Sequence, residues 1–431
     1  MKSIHLENFK CFLHLDMCFA PGVNLLVGDN ASGKTSLLLA LRSALSSFFL
    51  GYSDENTRFL GLSKDDFTQR ENESSILNDL PIKVGFDVQD TLQEDACGYI
   101  MLKSKKSRTA YAGASSYKAL AHDIFRRLFD VNTNTQQEAL PLFASFSTED
   151  IHAARKLDRG RFKEYKHKPS FGYYECLQGD GLFSYWLDRM LVLAEKDAHH
   201  IEIECVNNAI QKALGPDGCN IIESMVVRPR KGEVFYRFVD GREVESNDLS
   251  DGYKRLVNIV TDLAFRCALL NGGIYHLQAC DLTKGTVLID EIDLHLHPTL
   301  QSSAIAALRR SFPCLQFIIS THAPMVMSSV VSNDENYVYK MCYSTHSGYS
   351  HCLIQPYGMD ASTIIATELG ITPRDQKVQD SLDKLFQYID NDQFDVAKKQ
   401  LSELRSQFRN ELPELVKAQT MIDLMEESFN A

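Results

Sequence analysis

Residues Gly28-Asp29-Asn30-Ala31-Ser32-Gly33-Lys34-Thr35 read GxxxxGK[ST] without a mismatch. A glycine-rich loop of this kind wraps closely enough for its backbone N–H groups to point at phosphate oxygens. Lys34 is then placed to reach β- and γ-phosphate oxygens, Thr35 offers a hydroxyl to Mg²⁺, and Ser36 sits beside them as the next helix starts. Together Gly28 to Ser36 form a candidate ATP–Mg²⁺ cradle. Far downstream, TVLIDEIDLHLHP at 286–298 places Asp290 and Glu291 after four apolar residues. A buried strand would deliver both carboxylates to one edge. Asp290 would support the metal, and Glu291 would orient or deprotonate an attacking water. Asp293 would shape the turn beyond. His295 and His297 have metal-ligand residue types two apart, but a structural place in the loop before Pro298 accounts for them better.

Two further strings fit the same chemistry. Ser320-Thr321-His322 follows QFIIS, so His322 would stand at the end of a neighbouring strand. There it either senses the γ-phosphate or packs as a loop histidine. LSDGYKRL at 249–256 sets Ser250 and Gly252 at a helix start, where free N–H groups and the helix dipole favour an anion. One loop already encloses one nucleotide. A second anion site is useful if it caps the nucleotide held by another copy of the chain, two copies enclosing two nucleotides about a twofold axis.

These residues need elements to hold them. Ile4, Leu6 and Phe9, then Phe12, Leu13, Leu15 and Phe19, predict two short strands joined by a turn. Val23–Val27, Gly28 and the apolar stretch from Lys34 to Phe49 predict strand, glycine loop and helix. IKVGFDV, PLFASFS, TVLI and QFIIS read as further strands, and SMVVRPR and EVFYRFVD as two more around a KG turn. Leu256, Val257, Ile259, Val260, Leu263, Ala264 and Leu269 have helical spacing. Beyond Asp375 the chain reads as charged amphipathic helices broken near Asp390–Asp392 and at Pro413. Asp390-Asn391-Asp392 has the letters of a nuclease Asp-x-Asp, but a helix boundary explains it better, since Asp and Asn favour caps and turns. No intrinsic nuclease is expected.

At 431 residues and 44% hydrophobic the chain can bury a sizeable core. It has no signal-peptide pattern and no apolar run of membrane-spanning length. Its eleven cysteines form no CxxC or CxxxC pair, which fits reduced thiols in the cytoplasm. A net charge of −12 excludes a uniformly basic coat, so local runs matter. KSKKSR occupies 103–108. The tract at 154–168 holds Arg155, Lys156, Arg159, Arg161, Lys163, Lys166 and Lys168, with Phe162, Tyr165, Phe171, Tyr173 and Tyr174 within or just after it. Charge of this sign draws a phosphate backbone and exposed rings can stack on bases, so nucleic acid is a candidate partner. A solvated basic loop is the alternative. Asp66 and Gln69 are loose candidates for a nucleotide-sensing loop.

FKCF, GDNASGKT, LSDGYKRL, VLIDEIDLHLHP and STHAP together resemble the ABC-type ATPase heads of the SMC, RecF and OLD group. Asp251 and Tyr253 depart from the LSGGQ-like signature of that group, whereas Ser250 and Gly252 keep it. LPLFASFST, FGYYECL and the YGMDASTIIATELG region are similar to a narrower set, the PtuA-type ATPases of Septu and Septu-like retron anti-phage systems. The resemblance implies an α/β P-loop NTPase with an ABC-type head, an inserted helical lobe and a C-terminal helical tail. The expected segments are 1–147 and 246–360 for the head, 148–245 for the inserted lobe and 361–431 for the tail. It also implies a homo-dimer or higher even-numbered oligomer and an HNH nuclease subunit. In retron versions a reverse transcriptase and its RNA–DNA product are added. Leu382, Leu385, Phe386 and Ile389 are the candidate docking face for such a partner; packing on the chain's own core is the alternative for that face. A free-standing DNA-repair ATPase and a transporter ATPase are the alternatives, the latter disfavoured by the missing membrane span.

Overall fold

The structure is a computed structural model that describes residues 1–68, 81–89, 95–129, 135–148, 168–179, 182–196, 200–345, 348–372, 374–408 and 412–429. Cα packing divides the chain into two units, residues 1–361 and 362–431.

The first unit is built on two main sheets. One is antiparallel, in the order β2-β1-β4-β5, from β1 (Ser3–Phe9), β2 (Phe12–Cys18), β4 (Ile82–Gln89) and β5 (Asp95–Leu102). Alternation in β1 sends Ile4 and Leu6 inward, and Phe9 follows them after Asn8 turns at φ 54°; each of the three is at most 1% exposed. The other sheet has six strands in the order β13-β12-β3-β11-β10-β6. Its members are β3 (Val23–Val27), β6 (Leu142–Phe146), β10 (Gly285–Ile289), β11 (Leu315–Ser320), β12 (Tyr337–Ser344) and β13 (Gly348–Leu353). The pairs β12/β3, β3/β11, β11/β10 and β10/β6 are all parallel. A parallel sheet is covered on both faces, which is why VNLLV and LQFIIS are apolar runs without alternation. A hairpin of β7 (Ile222–Arg228) and β8 (Glu233–Phe238), extended by β9 (Glu243–Glu245), forms a third small sheet.

The helices of this unit are α1 (Lys34–Ser46), α2 (Ser115–Arg127), α3 (Phe183–Lys196), α4 (Ile201–Leu214), α5 (Asp251–Tyr275), the short α6 (Ala279–Leu282), α7 (Pro298–Ser311) and the short α8 (Pro324–Met327). α5 is the internal spine. Leu256, Val257, Ile259, Val260, Leu263 and Ala264 are at most 2% exposed, and each of the buried leucine, isoleucine and valine side chains is worth about 1.5–3 kcal/mol. The same helix also buries charge. Asp262 and Arg266 form an i,i+4 ion pair at 2.6 Å, and Trp186 Nε1 of α3 donates to Asp262 at 2.6 Å. Trp186 stacks on Phe265 with centroids 4.9 Å apart. Arg266 Nη1 donates to the carbonyls of Gly172 and Tyr174. α3 is tied to α4 by a two-pronged Arg189–Glu202 pair at 2.6 and 2.8 Å.

That arrangement corrects one expectation from the basic tract. Phe171 and Tyr173 are 4% and 1% exposed and pack in the aromatic core beneath α5, so they are not free to stack on bases. Lys168 pairs with Glu55. Arg155, Lys156, Arg159, Arg161, Phe162, Lys163, Tyr165 and Lys166 lie outside the described residues, as does Gln69.

The second unit holds α9 (Ala361–Thr367), α10 (Gln376–Asp390), α11 (Phe394–Gln407) and α12 (Pro413–Phe429). Leu382, Leu385 and Ile389 are at most 2% exposed in a cluster with Ala397, Leu401, Leu404, Leu415, Ala418 and Ile422, and Phe386 packs against it. The face expected to receive a partner is therefore occupied by the chain's own helices. Asn391 caps the end of α10 and Asp392 has φ 57°, so the Asp-Asn-Asp letters lie at a helix boundary. No helix among the described residues is long and apolar enough to cross a membrane.

Candidate functional site

β3, β11 and β10 lie side by side and parallel, so their C-terminal ends gather three distant strings at one edge. Gly28 leaves β3 with φ 140°, and a Cβ there would lie 2.3 Å from the Met341 carbonyl of β12. Ala31 and Gly33 also have positive φ, and Gly33 caps α1. Gly28 and Gly33 take these positions at low cost, whereas Ala31 holds its left-handed conformation against the usual penalty on a Cβ. Asp29, Asn30 and Ala31 are exposed and Ser32 is buried. Lys34 is 5% exposed; its Nζ donates to the carbonyls of Gly28 (2.9 Å) and Asp29 (2.8 Å) and to Ser32 Oγ (3.2 Å). Burial lowers its pKa from the ordinary 10.5, opposed by the carboxylates of Asp290, Glu291, Asp29 and Asp293. Those acids mark how much negative charge converges on one ammonium.

Thr35 Oγ1 donates to Asp290 Oδ2 at 2.9 Å. Ser320 Oγ, at the end of β11, donates to Asp290 Oδ1 and accepts from the Glu291 N–H at 2.7 Å. Glu291 itself has φ 49°, a left-handed conformation that costs a non-glycine residue about 1 kcal/mol or more. Asp293 Oδ1 accepts from Thr321 Oγ1 and from the His322 N–H at 3.4 Å. The turn after β10 is thus fixed to the end of β11, and His322 is held there half-buried. His297 caps α7, its ring accepting from the Thr299 N–H, and His295 is exposed at φ 62°. No cluster of three His, Cys, Asp or Glu suited to a metal occurs among the described residues.

Ser250 is the exposed N-cap of α5 and makes no side-chain cap hydrogen bond. Gly252 is buried, and a Cβ on it would lie 2.5 Å from the His295 carbonyl. Ser250 and Gly252 therefore sit at a helix start that packs, through Gly252, on the loop beyond Glu291, and Ser250 is exposed there. Sequence reasoning missed two residues here. Ser320 was noticed only as a letter before His322, yet it joins Asp290 to Glu291. Arg255 stands in LSDGYKRL with no role assigned to it, yet it is 2% exposed, and its Nη2 donates to the carbonyls of Asp290 (2.6 Å) and Glu291 (3.2 Å). The KR in LSDGYKRL, set beside an otherwise apolar helical face, is the one signal that could have found it.

With strand, loop and carboxylates assembled this way, the site defines a P-loop protein of α/β architecture with a helical C-terminal region. An AAA-domain family model matches residues 3–214. A second AAA-domain model, described further as a candidate AbiEii toxin of a type IV TA system, matches residues 113–328, half of the chain. The chain belongs to this AAA-domain family. It is similar to the "Retron Ec83 probable ATPase" of Escherichia coli, 26% identical over 77% of this chain and 70% of that one. It is also similar to the "Retron Vc95 probable ATPase" of Vibrio cholerae, 25% identical over 85% and 78%. The Septu protein PtuA of Bacillus thuringiensis is 23% identical over 78% and 74%. Among solved structures, the SMC head domain from Thermotoga maritima matches 82% of this chain and 98% of its own, with a TM-score of 0.45 and 15% identity.

Proposed function

We propose that this chain is an ATPase of retron- and Septu-type anti-phage defence, in which ATP hydrolysis between two apposed copies controls a separate nuclease. The observation that carries the enzymatic part is the convergence of Lys34, Thr35, Asp290 and Glu291 at one sheet edge, with Thr35 bonded to Asp290. The defence part rests on similarity to the retron ATPases and PtuA along most of the chain.

Lys34 exchanges its bonds to the loop carbonyls for phosphate oxygens, while N–H groups of residues 29–36 cradle the β-phosphate. Thr35 and Asp290 supply hard oxygens of the kind Mg²⁺ takes alongside phosphates and water. Bound there, the ion would neutralise charge on the β- and γ-oxygens. Glu291 orients the attacking water and accepts its proton. His322 reads the γ-phosphate from the end of β11. Ser250 and the N–H of Gly252 act on the nucleotide of the opposite copy. Residues 1–147 and 246–360 serve as the head, 148–245 as the inserted lobe and 361–431 as the tail. The partner is an HNH nuclease, joined in retron versions by a reverse transcriptase and its RNA–DNA product.

The test is native mass spectrometry of Glu291→Gln protein, tagged and purified from its own host with ATP and Mg²⁺. An even copy number with a nuclease polypeptide supports the reading. A bare dimer leaves a free-standing DNA-repair ATPase as the better description.

A further inference from the structure

The backbone of Glu291 is held on both sides of its Cα. Its N–H donates to Ser320 Oγ at 2.7 Å, and its carbonyl accepts from Arg255 Nη2 at 3.2 Å. The same guanidinium accounts for the Asp290 carbonyl at 2.6 Å and, through Nη1, the Ser147 carbonyl just past the end of β6 at 3.3 Å. A planar fork of this kind reaches the separate carbonyls with different nitrogens in a fixed geometry, which a single lysine ammonium reproduces only in part. Its charge is buried, which is costly unless the hydrogen bonds are made. Glu291 in turn occupies a left-handed conformation, φ 49°, that the neighbours must enforce.

We infer that Arg255 is a positioning residue for hydrolysis: it holds the Asp290–Glu291 backbone, and so the aim of the Glu291 carboxylate, from the first turns of the helix whose N-terminus carries Ser250. The inference rests on the proposed ATPase role of Glu291. Arg255 lies five residues after Ser250 on α5, and Gly252 packs on the His295 carbonyl in the same loop. The start of α5 therefore has two direct attachments to the turn that bears Glu291. A displacement of that helix start, as when Ser250 engages a nucleotide from outside the chain, acts on the Glu291 backbone without any intermediary.

The test compares wild type, Arg255→Gln, Arg255→Lys and Glu291→Gln for steady-state ATP turnover, affinity for a fluorescent ATP analogue and thermal melting. The expected result is a fall in kcat of roughly 100-fold for Arg255→Gln, the size that accompanies a misplacement of about 1 Å. Nucleotide affinity stays unchanged and Arg255→Lys recovers part of kcat. Adding Arg255→Gln to Glu291→Gln produces no further fall, as expected of groups that act as a unit. Unchanged kcat in both Arg255 variants overturns the inference. So does a parallel loss of affinity and melting temperature with kcat for bound nucleotide intact, which marks Arg255 as structural only. If Arg255→Gln does not fold, Arg255→Lys decides the matter by the same kcat-against-affinity split. Wild-type protein without turnover would overturn both this inference and the ATPase reading, whereas turnover indifferent to Arg255 overturns this inference alone.

Discussion

Thr35 Oγ1 donates to Asp290 Oδ2 at 2.9 Å across 255 positions of sequence. The bond joins the first residue pair of α1 to the end of β10 and brings hydroxyl and carboxylate to a distance at which one cation can share them. Asp290→Asn keeps the shape and removes the charge. Its Mg²⁺-dependent ATP affinity is expected to fall by about 1.5–3 kcal/mol, roughly 10- to 150-fold. Calorimetric titration with and without Mg²⁺ checks this, and equal affinities for both proteins would count against a metal role.

Gly252→Ala places a methyl 2.5 Å from the His295 carbonyl. Either the start of α5 or the loop beyond Glu291 must shift, at about 1–3 kcal/mol. Turnover should drop while ATP binding by the single chain persists, because the P-loop is not touched. A variant with wild-type turnover would show that the close approach has no bearing on hydrolysis.

The buried Asp262 carboxylate serves Arg266 and Trp186 together. Asp262→Ala leaves the Arg266 charge buried without its acid, and losses of about 3–5 kcal/mol follow from breaking such pairs. Chemical denaturation should give an unfolding free energy lower by that amount, seen as a lower midpoint at unchanged slope. A midpoint within error of wild type would mean the network is marginal to stability.

His5 sits between Asp16 (2.7 Å) and Asp87 (3.4 Å) on the outer face of the first sheet. Burial acts to lower its pKa, but the hydrogen bonds and charges of the two aspartates prevail and raise it above 6.5. Asp16 is lowered below 3.8 by its bonds to His5 and His14. A raised histidine stabilises the fold fully below 6.5 and loses that contribution as pH rises through its folded pKa. The lowered aspartate contributes above 3.8 and is lost as pH falls through its own. The melting-temperature difference between wild type and His5→Gln should therefore be largest near pH 5 and shrink above about pH 7. A difference that grows with pH would contradict the assignment.

Much of this was legible in the sequence because it is contiguous. GDNASGKT and TVLIDEID each name a strand, a turn and the chemistry at its end, and β3, β10 and β11 form where the apolar runs predict. Helical spacing also found α5. What escaped were relationships rather than strings. Arg255 binds backbone carbonyls, which leave no trace in residue types, and a buried arginine runs against the ordinary reading of a helix charge. Ser320 acts on Asp290 and Glu291 only because β11 lies beside β10. The strands β12 and β13 passed unread, since YVYKMCYS shows little alternation before its pairing with β3 is known. Phe171 and Tyr173 misled in the opposite sense, because rings beside a basic run suggest exposure until α5 covers them. The same holds for Leu382 and Leu385, whose apolar face cannot say which surface it meets.

The central claim, that two copies enclose ATP between the P-loop of one and Ser250 of the other, is tested most directly by sedimentation of the Glu291→Gln protein at micromolar concentration. With ATP and Mg²⁺ it should run as a dimer holding two nucleotides, and as a smaller species without them. Adding Ser250→Arg should abolish that dimer while ATP still binds. A Glu291→Gln chain that binds ATP and stays monomeric, or whose dimer ignores Ser250→Arg, would contradict the account.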